Sequence, residues 1–285
     1  MLDNPVRESI KVVDNDTWLI GPILLHRTAR PLRYSNLVRP FGRNTSYEAS
    51  KAADPLLAAV PLPPRDFTIA LVHDVGDAYA VWLVGNSALL KVKIRVENVT
   101  PENMIITYVH SKNPSFDVPR VLYAAETEDR SYLFLTLVEG RTHADAWSTL
   151  GEGWRTHYVN SIANACKEMG SWKRDDENLR LGGVDGRGVR EGYLNQIHQA
   201  GEPDFKPGTL LKNCQTIGLH GSQLVFCHLD LGPGTIIVEN VPVTGSIRII
   251  DWEIAGFFPR GWIRTKFRVS SGLDLPDIAG VDPKD

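Results

Sequence analysis

Three stretches of this sequence carry side chains of the types and spacing that could do chemistry. FCHLDLGPGTIIV, residues 226–238, sets His228 and Asp230 two residues apart at the end of an apolar run, followed by a Gly-Pro-Gly turn, Thr235 and a second apolar run. IIDWE, residues 249–253, ends another apolar run on Asp251. Far upstream, SALLKVKIRV carries Lys91, and the adjoining VTPENMIITYVHSK carries Glu102. A carboxylate on a rigid turn at a strand end is placed to accept a proton, and that role is open to Asp230. H-x-D alone says little, because an Asp beside a turn is most often a turn former. The order of the features says more: a strand lysine, a helix glutamate, H-x-D with a threonine following, then D-W-E. Each residue also has a plain structural reading. Lys91 could be a solubilising lysine of an edge strand, with Lys93 on the same face by the two-residue period. Glu102 could be a first-turn charge favoured by the helix dipole. Asp251 could simply end a strand, and His228 could hydrogen-bond the turn.

The elements that must position these residues fall into two textures. FTIALVHDV, AYAVWLVG and SALLKVKIRV predict three strands with turns at 75–77 and 85–87, and connections this short make an antiparallel meander. VTPENMIITYVHSK predicts an amphipathic helix with Thr100 as N-cap and Pro101 at its first position. VPRVLYAAET and RSYLFLTLVEG add two strands, so 67–138 reads β-β-β-α-β-β. HADAWSTL and WRTHYVNSIANACKEMGSW then open a helical region, the longer helix presenting Tyr158, Ile162, Ala165, Cys166 and Met169 on one face. From 224 onward LVFCHLD, TIIVEN and IRIIDWE predict short strands. Residues 1–66, with prolines at 55, 61, 63 and 64, read as an accessory segment and linker. The expectation is an α+β chain of two lobes: a small antiparallel-sheet lobe over 67–138 and a larger, mainly helical lobe over 139–285.

Composition narrows the classes. The 285 residues are 42% hydrophobic and 23% charged, enough for one large core or two small ones. A net charge of −3 offers no general argument for nucleic acid or an anionic membrane as partner. The local exception runs from Thr17 to Tyr47, which has no acidic residue but holds Arg27, Arg30, Arg33, Arg39 and Arg43; an anion-binding surface and an ordinary solvated face are both open. Three cysteines without C-x-x-C spacing suggest neither a disulfide framework nor a zinc site, and the eight histidines lack the i, i+4 pairing of a helix-borne metal site. The N-terminal residues lack a signal-peptide pattern and WLIGPILL is too short to span a bilayer, so a cytoplasmic protein is expected.

The ordered features follow the protein-kinase signature of strand lysine, helix glutamate, H-R-D-x-x-x-x-N and D-F-G. Over roughly residues 67–268 the chain resembles the aminoglycoside phosphotransferase family, in particular fungal members. The matching stretches are VPRVLYAAE, LVEGRTHADAW, LRLGGVDG, LVFCHLDLGPGTIIV and GSIRIIDWEIAGFFPRGW, the last two being similar to the family forms HGDLGPxNILV and GIIDWExAGxxPxxW. The resemblance implies a kinase-like fold with ATP and magnesium between the lobes, and transfer of the γ-phosphate to a hydroxyl of a small molecule. It implies that Asp230 orients that hydroxyl and takes its proton, with His228 beside it in the catalytic motif, and that Asp251 binds magnesium. It implies that Lys91 holds the α/β-phosphates with Glu102 pairing to its ammonium, and that residues from Leu135 to Val138 meet adenine through backbone groups. Thr235 stands where the family has Asn as a second metal ligand; its hydroxyl can coordinate magnesium but reaches less far. Two other functions fit the same features: a kinase-fold enzyme turned to nucleotide-independent acid/base chemistry, such as cyclisation or isomerisation of a natural product, and a non-catalytic binding protein. For an apolar substrate, Trp147, Trp154, Trp172, Phe257, Phe258 and Trp262 are candidate lining residues, with core packing as the alternative. Asp175, Asp176 and Glu177 form one short acidic run of the kind found at solvated helix ends.

Overall fold

Tight turns and alternating apolar residues make the first half of the chain a stack of hairpins. The computed structural model describes residues 5–28, 37–38, 46–52, 59–63, 68–172, 181–195, 203–219 and 223–269. The chain divides into two compact units, 1–96 with 119–137, and 97–118 with 138–285.

In the first unit, β1 (Ile10–Asp14), β2 (Thr17–Ile20), β3 (Ile23–Thr28), β4 (Leu37–Val38), β5 (Ser46–Lys51) and β6 (Val60–Pro61) form one sheet in the order β4-β5-β3-β2-β1-β6. β7 (Ile69–Val75), β8 (Tyr79–Val84), β9 (Ala88–Ile94), β10 (Val121–Glu126) and β11 (Arg130–Thr136) form a second in the order β10-β11-β9-β8-β7. The β7–β8 and β8–β9 turns sit where expected, with Gly76 and Gly85 at φ +55° and +61°, a conformation costly for other residues. β11 ends at Thr136 rather than at Gly140. One apolar core spans both sheets: Trp18, Ile20, Ile23, Leu25 and Tyr47 from the first meet Trp82, Val84, Leu90, Val92 and Phe134 from the second. A boundary at residue 66 therefore lies inside this unit, because the strands before it bury their apolar faces on those after it.

In the second unit, α1 (Glu102–Ser111) is followed by β12 (Arg141–Thr142), α2 (His143–Trp147), α3 (Glu152–Ser171), α4 (Gly192–Asn195), α5 (Pro207–Thr216), β13 (Leu224–His228), β14 (Ile236–Val238), β15 (Ile247–Ile249), β16 (Ala255–Pro259) and α6 (Arg260–Val269). β12, β14 and β15 pair in that order, and β13 pairs antiparallel with β16. The long helix α3 buries Tyr158, Ala165 and Met169 of its expected face and leaves Ile162 and Cys166 half-buried. Strand β16 went unforeseen because GFFP reads equally as part of a turn. Helix α1 groups with this unit rather than with the strands on either side of it, since it packs on the turn at Trp252–Ile254 and its leading residues pair with Gly188. Thr100 does not cap it. Pro101 is the N-cap without a side-chain bond, and the Thr100 hydroxyl turns away to Asp185 at 2.5 Å. Phe257, Phe258 and Trp262 are fully buried core residues, which excludes them as pocket lining. The mixed α+β class, with antiparallel sheets in one unit and a mainly helical second one, matches the reading of the sequence.

Candidate active site

Antiparallel pairing of β13 with β16 brings the end of one apolar run, His228, opposite Ala255, just past the D-W-E segment. The loop after β13 is held by backbone: Leu229 N–H donates to Ile254 O at 2.8 Å and Gly232 N–H to Asp230 O at 2.9 Å. Asp230 is half-buried on this turn, and among the described residues no hydrogen bond or ion pair engages its carboxylate. His228, 4% exposed, has both ring nitrogens committed. Nε2 donates to Ile250 O at 3.0 Å and Nδ1 accepts the Asp230 N–H at 3.2 Å, which assigns the neutral Nε2–H tautomer. Burial holds the imidazole below its ordinary value, against the opposing pull of Asp251. With no free nitrogen, His228 is a strut between the Asp230 turn and the residue preceding Asp251.

Thr235 closes the same loop. Its hydroxyl donates to Asp230 O at 2.7 Å and accepts the Gly232 N–H at 3.0 Å, while its own N–H bonds Gly232 O at 3.0 Å. A hydroxyl has one hydrogen and two lone pairs. The hydrogen and one lone pair are used within the loop, which leaves one lone pair.

Asp251 follows β15 in the left-handed conformation, φ +64° and ψ +58°, which Asp tolerates better than bulkier residues and which recurs at functional sites. Its neighbours fix it. The Trp252 N–H donates to Glu102 Oε1 at 3.2 Å and the Trp252 indole to Ile249 O at 3.0 Å. The buried indole stacks on Phe116 at 6.2 Å and meets the His228 ring edge at 4.8 Å. Carboxylate oxygens of Glu102, Asp251 and Glu253 all lie within 4.8 Å of one another. Glu102 is 2% exposed, so this is not merely a solvated acidic face. An all-oxygen donor set suits a hard divalent cation such as magnesium. Glu253 was missed in the sequence, although its two-residue spacing from Asp251 around a buried tryptophan was visible.

In the first unit, Lys91 is 7% exposed and lies on β9, flanked by β11 and β8. The edge-strand reading is thereby excluded, since a central strand has no solvated edge to protect. Its Nζ stands 5.9 Å from the Tyr79 ring centroid, while Lys93 is half-buried. Leu135 is buried on β11 opposite Leu89, and Val138, half-buried, opens the second unit's main segment. Arg27, the one described member of the arginine-rich stretch, pairs with Asp16 at 2.6 Å and donates to Thr68 at 3.0 Å. Arg30, Arg33, Arg39 and Arg43, and the run Asp175 to Glu177, lie outside the described residues. Among the described residues no helix is long and apolar enough to cross a membrane.

No family model and no curated protein matches the sequence. Among solved structures the chain is similar to aminoglycoside phosphotransferases. One is APH(3'')-Id from Streptomyces rimosus ATCC10970, at 20% identity and a TM-score of 0.47 over 67% of this chain and 73% of that one. The same enzyme in complex with ADP and streptomycin aligns at 16% identity and a TM-score of 0.47 over 75% and 88%. The gentamicin complex of APH(2'')-IIa aligns at 15% identity and 0.48 over 71% of each chain. At these identities the likeness concerns the fold.

Proposed function

We propose that this chain is a phosphotransferase that moves the γ-phosphate of ATP to a hydroxyl of a small metabolite. The observation that carries the reading is the His228 strut. One buried imidazole bonds the Asp230 N–H and the Ile250 carbonyl, so a carboxylate with no partner among the described residues and a cluster of three carboxylates share one rigid frame. Phosphoryl transfer asks for such positioning and charge neutralisation more than for covalent catalysis. Asp230 would take the proton of the acceptor hydroxyl as its oxygen bonds the γ-phosphorus and the bond to the β-γ bridging oxygen breaks, leaving ADP. Asp251, with Glu253 and Glu102, would hold a divalent cation, which when bound neutralises phosphate charge. Lys91 would pair with the α/β-phosphates, and backbone groups from Leu135 to Val138 would meet adenine.

A second reading is favoured by one observation. Because the Thr235 hydroxyl closes its own loop with its hydrogen and one lone pair, a nucleotide-free enzyme that uses Asp230 for acid/base chemistry retains everything that loop provides. Calorimetric titration with MgATP decides between them. Binding by the wild type, weakened about tenfold or more by Asp251→Asn, is expected on the first reading. No heat at millimolar MgATP refutes it and leaves the second.

A further inference from the structure

Residues 181–188 form a loop that grips both chain segments delivering the acidic cluster. Toward β16, Gly182 and Phe257 exchange two backbone hydrogen bonds at 3.1 and 2.7 Å, four residues beyond Glu253. Toward α1, Thr100 N–H donates to Gly188 O at 2.9 Å and Gly188 N–H to Asn98 O at 2.7 Å. Between these anchors stands Asp185. It accepts the Thr100 hydroxyl at 2.5 Å, the Arg187 N–H at 3.0 Å and Arg187 Nε at 2.5 Å. Burial would raise this carboxyl, but the Thr100 hydroxyl and the two Arg187 donors outweigh it and keep it ionised below its ordinary value. The packing has little slack. A Cβ on Gly183 would overlap the Thr100 side chain, and one on Gly256 would overlap the Gly182 carbonyl. Thr100 itself is 2% exposed, and only Pro101, with φ held at −69°, separates it from Glu102.

We infer that Asp185 is a positioning residue, which through Thr100 fixes where Glu102 stands against Asp251 and Glu253 and so sets the affinity of that cluster for a divalent cation. The inference rests on the cation reading of the cluster proposed above. Asp185 acts along Thr100–Pro101–Glu102, as outer residues orient a metal's ligands elsewhere.

Two readouts separate this role from a merely structural one. In metal-free protein, the Trp252 amide, which donates to Glu102, reports local order by hydrogen exchange, with the Ile249 amide, bonded to Asp117 O at 3.0 Å, as internal reference. Mn2+ alone, titrated by electron paramagnetic resonance, reports cation affinity. Asp185→Ala and Thr100→Val should each speed Trp252 exchange about tenfold beyond any change at Ile249, since opening is local. Both should weaken Mn2+ binding by about tenfold, while Thr100→Ser, which keeps the hydroxyl, stays within about twofold of wild type on both readouts. Should Asp185→Ala fail to fold, the Thr100→Val and Thr100→Ser pair carries the test. Equal acceleration at Trp252 and Ile249, or unchanged Trp252 exchange in Thr100→Val, overturns the inference. Selective loss of Trp252 protection in a protein whose wild type takes up no Mn2+ keeps the clamp and instead refutes the cation reading.

Discussion

Removing the Thr235 hydroxyl without changing its shape tests how the Asp230 loop is held. Thr235→Val deletes a hydrogen bond to Asp230 O at 2.7 Å and another from Gly232 N–H at 3.0 Å. Each bond is worth about 0.5–1.5 kcal/mol net, and an orphaned buried group would add more. Neither partner is fully orphaned, because Gly232 N–H and Asp230 O still meet each other at 2.9 Å. The expected cost is therefore about 1–2 kcal/mol, at the lower end of the range for breaking two bonds. Thr235→Ser keeps both bonds and loses one methyl, about 0.5–1 kcal/mol in this half-buried position. Thr235→Asn brings an amide that can donate to Asp230 O from nitrogen and still present a carbonyl oxygen, so MgATP binding should tighten by about tenfold, or roughly 1.4 kcal/mol. Urea midpoints measure the first two variants and calorimetry the third. A Val variant as stable as wild type would show that the hydroxyl does not close the loop; an Asn variant with unchanged MgATP affinity would show that Thr235 does not limit cation binding.

Three further outcomes are expected. Lys91→Met should weaken MgATP binding at least about tenfold, because the ammonium that would meet the phosphates is replaced by an apolar chain of like length; unaltered affinity in calorimetry would remove Lys91 from the nucleotide site. Lys266→Met should destabilise by about 3–5 kcal/mol in urea, because it strands the fully buried Glu191 carboxylate that Lys266 meets at 2.7 Å, and a loss under about 1 kcal/mol would contradict that burial. Burial lowers the folded-state values of both His228 and His143, so the unfolded chain binds more protons as pH falls below the ordinary histidine value near about 6.5. Stability should be complete above that pH and decline from about 6.5 to 5, and urea midpoints flat across this window would mean the two imidazoles are not buried neutral.

The meander of β7 to β9, the helix at Glu102 and the run of helices before 224 were legible because turn residues and apolar period agreed at each. The strands before residue 66 were not, because the residues they pack against lie far along the chain: Trp18 and Leu25 acquire meaning only beside Trp82 and Phe134. Position along a helix proved informative in a different way. The placement of Glu102 at the very start of α1 sets its carboxylate against the Trp252 N–H and the oxygens of Asp251 and Glu253. No local rule reveals this, since the cluster joins residues some 150 positions apart. Asp185 was hidden for the same reason: within VDGR it reads as a turn former, and its work on Thr100 is visible only once the loop is docked.

The threonine at 235 and the acids at 102, 251 and 253 are parts of one physical problem. The loop that presents Asp230 is closed by a donor to the Asp230 carbonyl, and under the proposed function a cation nearby would need oxygen ligands. An asparagine amide can serve both needs because its donor and acceptor are separate atoms. A threonine hydroxyl offers a single oxygen for both, and here its hydrogen and one lone pair serve the loop. Under the same proposal the other ligands would be the three clustered carboxylates, which stand on segments bonded to that loop through His228 and Trp252. Glu253→Gln is the change that separates this arrangement from one in which Asp251 alone binds. If the cluster shares the load, Glu253→Gln should weaken Mn2+ binding by about tenfold with the fold intact.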